Sequence, residues 1–296
     1  MLHGPVVLSF LIVTTRGLPE AYFLARFLES REQRIAILDL AGRPLADQLR
    51  VIGRLARRRG LRYLADFLLG RALGVLARQR RVDPFPELDA DAVARMTRQH
   101  PVLVSRDPHA PEALAFVKEF GPDYILLAGA PVLKPAFYGL ARRGALNRHL
   151  GLLPEFRGSD CMLWALALDR PESVGFAIHV VAEKVDAGDV IVRQRVPIPA
   201  GLSFPEYLAR LQRTASEAFT GVLERILRGE PFERQIQMGR GMYFPPAGLS
   251  TIRRALRNYA RLARATPASL AVRECADGGS GPPAPGSLLA DTRDPR

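Results

Sequence analysis

Continuous apolar runs bounded by turn-forming residues constrain the fold of this chain most strongly. They occupy residues 6–13, 34–40 and 124–129, and the last is closed by glycine and proline. Such runs are typical of parallel strands buried on both faces, because strands with one solvated face alternate. Apolar residues at helical spacing follow the first run, at residues 21–28. The chain therefore begins as a strand, a turn and a helix, and we expect an α/β fold with a mostly parallel sheet.

The remaining pattern extends this prediction. Four helices are expected, at residues 111–120, 161–168, 204–228 and 249–265. Four shorter strands are expected at 101–104, 144–149, 174–181 and 189–197, and the last two suggest an antiparallel excursion at the sheet edge. We interpret residues 239–246 as a loop.

A basic helical insertion, at about residues 44–95, separates the early strands from the rest. Its first part places leucines among arginines, at spacings that predict two amphipathic helices broken at Gly60. We expect these apolar stripes to face the core. A basic surface for a polyanionic substrate, a membrane or a partner remains the alternative.

The expected organisation is a main domain over residues 1–230 that includes the insertion, a short C-terminal extension over 231–267, and a tail over 268–296. The tail is rich in Gly, Pro, Ser and Asp, a composition that indicates disorder.

Composition narrows the class of protein. The chain has 296 residues, 48% of them hydrophobic, and two distant cysteines, Cys161 and Cys275, which support neither a disulfide framework nor a zinc site. Cytoplasmic localisation and no metal are expected. The run at 6–13 is too short to span a membrane. The net charge of +12 is compatible with nucleic-acid binding, but almost all the cations are arginines, so a solvated surface is favoured.

Asn147 and His149 carry the candidate chemistry. Two positions apart on a strand, they share one face, and the strand ends beside them, where open α/β sheets bind ligands. An amide donor and an imidazole can stabilise the oxyanion of acyl transfer and move its protons. Asp186, in a downstream turn, is expected to hold water, raise the pKa of His149 and help remove a proton. His179 is interpreted as structural rather than catalytic.

Residues 147–158 (NRHLGLLPEFRG) resemble the signature of the folate-dependent formyltransferases, with Gly151 where serine or another small residue is usual. Residues 175–179 and 183–191 are similar to the strand and loop that carry the family's aspartate. Residues 127–133 resemble the loop that cradles the pterin.

The resemblance implies a Rossmann-like sheet, 10-formyltetrahydrofolate as the formyl donor, and catalytic roles for Asn147, His149 and Asp186. It also implies a set of donor-binding residues, namely Gly129, Ala130, Val132, Leu133, Ala182, Glu183 and Val185.

The acceptor is expected to be the primary amine of a small metabolite, such as an amino sugar, a nucleotide sugar or a glycinamide-type ribotide, which attacks the formyl carbon directly. Residues 14–19 lack the Gly/Ser/Asn-rich phosphate loop of the glycinamide ribonucleotide enzymes. Methionyl-tRNA is the runner-up acceptor, since the charge favours it but no C-terminal barrel follows residue 229.

Two further functions remain as alternatives. One is a formyltetrahydrofolate hydrolase; such enzymes resemble this core preceded by a regulatory domain, whereas here the first strand begins near Val6. The other is a non-catalytic α/β binding module. The sequence does not specify the oligomeric state.

Overall fold

The computed structural model of the protein describes residues 7–42, 45–76, 82–239 and 241–264. The strands within these ranges are β1 (Ser9–Thr15), β2 (Arg34–Leu40), β3 (Val102–Ser105), β4 (Tyr124–Ala128), β5 (Gly144–His149), β6 (Phe156–Gly158), β7 (Gly175–Val180), β8 (Val190–Arg195) and β9 (Met242–Phe244). The helices are α1 (Pro19–Glu29), α2 (Leu45–Leu76), α3 (Ala90–Gln99), α4 (Pro111–Phe120), α5 (Pro135–Tyr138), α6 (Cys161–Ala167), α7 (Phe204–Leu227) and α8 (Leu249–Arg264).

The main sheet has seven strands in the order β3-β2-β1-β4-β5-β7-β8. The first five strands in this order, from β3 through β2, β1 and β4 to β5, are parallel, and β7 and β8 add an antiparallel edge. The predicted Rossmann-like, mostly parallel sheet is therefore confirmed, as is the antiparallel excursion. The continuous apolar run of β1 is buried on both faces, with Phe10 to Val13 inaccessible to solvent.

Two layers of helices cover the sheet because successive strand residues point to opposite faces. Phe10 and Ile12 belong to the core cluster that includes residues of α1, α6, α7 and α8, whereas Leu11 and Val13 belong to the cluster that includes residues of α4. Helix α7 begins at a capping box in which Ser203 and Glu206 bond reciprocally.

Helix α2 breaks at Gly60, which has non-helical angles (φ 82°, ψ 163°), as predicted. The expectation that its apolar stripes face the core is wrong for Leu61 and Leu68, which are exposed. The reason is that α2 packs with its opposite face on the start of α8. There Asp66 accepts hydrogen bonds from the Ser250 backbone N–H and hydroxyl, at 2.9 and 2.8 Å.

The interpretation of residues 239–246 as a loop is also wrong in part. Met242–Phe244 forms β9, which pairs in parallel with β6 as a separate two-stranded sheet. A three-residue strand between glycines and prolines has no periodicity of its own, and its partner lies far away in sequence.

The predicted tail over 268–296 lies outside the described residues. None of the helices in the described part of the chain is long and apolar enough to cross a membrane.

Candidate active site

A cavity of about 690 Å³ lies at the carboxyl ends of β4 and β5. Asn147, His149, His179 and Asp186 all line it, so the structure brings the three predicted catalytic residues together. The location is the one at which open α/β sheets bind ligands.

The register of the β5–β7 pair holds the Asn147 amide in place. Asn147 lies opposite His179, and its Nδ2 is 3.0 Å from His179 Nε2. His179 Nδ1 is 2.9 Å from the Val180 carbonyl oxygen, which can only accept. We therefore assign the proton to Nδ1, so that Nε2 accepts from the Asn147 amide. This hydrogen bond fixes one of the two N–H groups of the Asn147 amide, and His179 thereby positions Asn147.

His149 is buried and held from both sides of its ring. Its Nε2–H donates to the Phe156 carbonyl at 2.8 Å, and its Nδ1 lies 3.6 Å from Asp186 Oδ2. Burial lowers the pKa of His149 below its ordinary value, and the Asp186 carboxylate only partly offsets this effect. Asp186 therefore raises this pKa as expected, but burial, whose depth the sequence does not reveal, has the larger effect.

Asp186 sits in a left-handed backbone conformation (φ 52°), one that Asp tolerates better than most residues. The backbone N–H of Gly158 donates to its Oδ2 at 2.8 Å, and His179 Nε2 lies 3.5 Å from Oδ1. Burial acts to raise the pKa of Asp186, but His149, His179 and the Gly158 N–H together lower it to about 2. The carboxylate is therefore ionised at neutral pH.

The loop that carries Asp186 is braced from the C-terminal part of the chain. Gln237 Nε2 donates to the carbonyl oxygens of Asp186 and Gly188, at 2.9 and 2.7 Å. Arg157 Nη2 in turn donates to Gln237 Oε1 at 3.0 Å. Sequence reasoning missed Gln237, since no local pattern links it to Asp186.

Gly151 allows His149 to lie close to the loop after β5. A Cβ at this position would lie 2.6 Å from Cys161 Cβ, 2.7 Å from His149 Nε2 and 3.1 Å from the Phe156 carbonyl oxygen. The absence of a side chain at Gly151 thus has a packing reason in this chain.

The residues expected to bind the donor form one wall of the cavity. All seven line it, namely Gly129, Ala130, Val132, Leu133, Ala182, Glu183 and Val185. Leu127 and Val181 add apolar surface beside them. A largely apolar wall with a few polar groups suits a flat heteroaromatic ring.

Arg148 points to the other face of β5 and was not singled out by sequence reasoning. Its Nη2 lies 2.8 Å from Glu20 Oε1 at the start of α1, and its Nη1 is 3.4 Å from the Gln212 carbonyl oxygen on α7. Both members of the Arg148–Glu20 pair are buried, and Arg148 and Gln212 also line the cavity. The cavity thus reaches both sides of the carboxyl end of β5.

Within the described ranges, no group of three or more His, Cys, Asp or Glu residues is arranged to hold a metal ion. The fold and the site define a Rossmann-like α/β protein with a ligand-sized cavity at the carboxyl ends of its parallel strands. The sequence model of the formyl transferase family matches residues 73–223, just over half of the chain. The chain belongs to the formyl transferase family.

Curated relatives share part of the sequence. A methionyl-tRNA formyltransferase of Chlorobium chlorochromatii is 34% identical over 127 residues, which cover 43% of this chain and 39% of that protein. One from Akkermansia muciniphila is 28% identical over 145 residues, covering 48% of this chain and 46% of that one. The chain thus matches less than half the length of either relative.

Solved structures share the fold. A sugar N-formyltransferase from a Shewanella species superposes with a TM-score of 0.52 at 13% identity, covering 85% of this chain and 87% of the other. Phosphoribosylglycinamide formyltransferase from Bacillus halodurans superposes with a TM-score of 0.50 at 17% identity, covering 74% and 95%. At these identities the likeness establishes the architecture only.

Proposed function

We propose that this protein transfers a formyl group from 10-formyltetrahydrofolate to the primary amine of a small metabolite, such as an amino sugar, a nucleotide sugar or a glycinamide-type ribotide. The observation that carries the proposal is the convergence of Asn147, His149 and Asp186 on one cavity at the end of β5. An amide donor, an imidazole and an ionised carboxylate are the groups that direct acyl transfer to an amine requires.

Each group has a defined part in the reaction. The amine nitrogen attacks the formyl carbon, a carbon–nitrogen bond forms to the acceptor, and the bond to the donor nitrogen breaks. Asn147, fixed by His179, donates to the developing oxyanion, and His149 lies on the same face of β5. The amine proton passes to His149, directly or through water, and Asp186, 3.6 Å away, helps to remove it by stabilising the protonated imidazole. His149 then returns this proton, directly or through water, to the donor nitrogen as the bond to the formyl carbon breaks.

The two sides of the cavity suit two substrates. The apolar wall over residues 129–133 and 181–185 is the proposed donor side. Arg148, on the other face of β5, and Gln212, on α7, are proposed to contact the acceptor. The Arg148 guanidinium is already paired with Glu20 and has only hydrogen-bond donors to offer. It can donate to a hydroxyl or carbonyl oxygen of the acceptor, so a hydroxylated amine fits this side.

The test is to incubate the protein with 10-formyltetrahydrofolate and a panel of nucleotide-linked amino sugars, glycinamide ribotide and simple alkylamines, while following tetrahydrofolate release. Asn147→Ala should lower turnover roughly 100- to 1,000-fold, the usual effect of losing an oxyanion donor. Gln99→Ala removes an exposed amide on α3 and serves as the matched control.

Three outcomes would overturn the proposal. Absence of turnover with every amine would remove its basis. Formate release without an amine would indicate a hydrolase instead. Unchanged turnover in Asn147→Ala and His149→Ala would show that these residues are not catalytic, whereas a non-catalytic binding module would show no turnover at all.

Methionyl-tRNA is the second candidate acceptor, and the names of the curated relatives favour it. A gel shift with Met-tRNA at increasing salt distinguishes it. A protein that contacts several phosphates must lose affinity steeply as salt rises, whereas a small-metabolite enzyme shows no such complex.

A further inference from the structure

Helix α2 exposes a continuous apolar stripe. Leu61, Ala65, Leu68 and Ala72 follow one another at spacings of four, three and four residues, and all four are exposed, as is Leu69 beside them. The leucines are 76%, 43% and 55% exposed, for Leu61, Leu68 and Leu69 in turn. Single exposed apolar residues are ordinary, but a stripe along three turns of one helix marks an interaction surface.

The opposite face of the same helix is already occupied. Tyr63 donates to the Pro246 carbonyl at 2.7 Å, and Asp66 caps the start of α8 through Ser250. A Cβ at Gly70 would lie 2.9 Å from a backbone atom of Leu249, so the helix cannot approach more closely there. These contacts fix the rotation of α2 and hold the leucine stripe outward.

The sequence segment that contains the stripe is strongly basic. Residues 43–81 contain eleven arginines and two aspartates, so this segment carries nine of the twelve net positive charges of the chain. Arg57, Arg58, Arg62 and Arg71 are exposed on α2 itself. Arg62 and Arg71 flank the leucines on either side of the helix.

We propose that this surface, termed the α2 stripe and formed by residues 61–72 with the exposed Arg57 and Arg58 that precede the break at Gly60, binds the surface of an anionic lipid bilayer, with the segment 61–72 lying in the plane of the interface. Leucines flanked by arginines are the combination that inserts into the headgroup region while its cations contact anionic lipid. The exposed leucines favour a bilayer over RNA as the ligand of this surface, because proteins contact RNA through cations and stacking aromatic residues rather than through aliphatic side chains.

The α2 stripe is separate from the candidate active site. None of its described residues lines the cavity. Membrane binding therefore neither requires nor follows from the proposed reaction, and it would bring the cavity close to acceptors that are held at a membrane.

The test measures co-sedimentation of the full chain with vesicles of phosphatidylcholine that contain about one third phosphatidylglycerol, and with phosphatidylcholine alone. Binding is expected only to the anionic vesicles. Each arginine near such a surface contributes about fivefold in partitioning. The triple variant Arg57→Gln/Arg58→Gln/Arg62→Gln should therefore bind roughly 100-fold more weakly, and Leu61→Ser/Leu69→Ser at least tenfold more weakly.

Matched variants control for charge and for exposed apolar area. Arg95→Gln/Arg98→Gln/Arg106→Gln removes three exposed arginines from elsewhere on the molecule. Val104→Ser/Ile236→Ser removes two apolar residues that are 61% and 73% exposed, close to the values for Leu61 and Leu69. Both control variants should bind anionic vesicles like the wild type, and thermal unfolding verifies that all four variants are folded.

Several results would overturn the proposal. One is no binding to anionic vesicles by the wild type. Another is binding that the leucine variant retains in full while RNA competes for it, which would identify a polyanion surface. The third is a lipid-free dimer that Leu61→Ser/Leu69→Ser dissociates, which would identify a second copy of the chain as the occupant.

Discussion

Replacing Gly151 by alanine adds one methyl group beside the imidazole of His149. The new carbon would lie 2.6 Å from Cys161 Cβ and 2.7 Å from His149 Nε2, both below any normal contact distance. Cys161 is buried on α6, so the imidazole or the loop must move. Either movement lengthens the 2.8 Å hydrogen bond from His149 to the Phe156 carbonyl.

The size of the effect follows from these contacts. Adding a methyl group to a packed core typically costs about 1–3 kcal/mol in the free energy of unfolding. A displacement of a catalytic group by about 1 Å costs on the order of 100-fold in rate. Because 100-fold in rate corresponds to about 2.7 kcal/mol of activation free energy, the two losses are of similar size, and Gly151→Ala should remain folded while turning over on the order of 100-fold more slowly. The control is Gly221→Ala, an exposed position on α7 where nothing lies within 4 Å, and which should gain about 0.5–1 kcal/mol.

Urea denaturation of both variants, with turnover measured at saturating donor, checks the prediction. Wild-type turnover and wild-type stability in Gly151→Ala would refute the argument, since they would mean that the imidazole does not pack against residue 151.

Three other predictions follow from the site. Asp186 has a pKa lowered from 3.8 to about 2, so its ionisation should contribute about 2 kcal/mol above pH 4 that is lost as the pH falls toward 2. Asp186→Asn should lack this acid-dependent loss in urea titrations from pH 5 to pH 2. Arg148→Met should cost about 3–5 kcal/mol by leaving the buried Glu20 unpaired, and adding Glu20→Gln should restore much of it in a denaturation double-mutant cycle. Gln237→Ala should lower kcat by up to about 100-fold and also weaken donor binding, measured by fluorescence, because the loop that Gln237 braces adjoins the donor-side residues 182–185.

The sequence predicted the parts of the fold that local pattern determines. The apolar run of β1, the helical spacing of α4 and the alternation of β7 each depend on neighbouring residues, and each lies where it was expected. The shared face of Asn147 and His149 follows from strand geometry alone. Those features need no knowledge of distant contacts.

Other features depend on which distant segments meet. The contact between Asn147 and His179 requires the register of β5 against β7, and β9 becomes a strand only beside β6. The direction of the His149 pKa shift depends on burial, which outweighs the carboxylate that the sequence did suggest. The outward face of α2 was mispredicted because the side that packs on α8 carries Tyr63, Asp66 and Gly70 rather than the leucines, and the sequence does not reveal the position of α8.

The hydrogen bonds from Gln237 have a consequence for biosynthesis. Asp186 is translated 51 residues before the side chain that holds its loop. A chain made at about 5–20 residues per second, whose domains fold as they emerge, can pair the strands of the main sheet before Gln237 leaves the ribosome. A nascent chain would then have a sheet and a cavity, but the loop that carries Asp186 would lack its brace. Catalytic competence should arise as a late event in the maturation of the protein, after most of its architecture is complete.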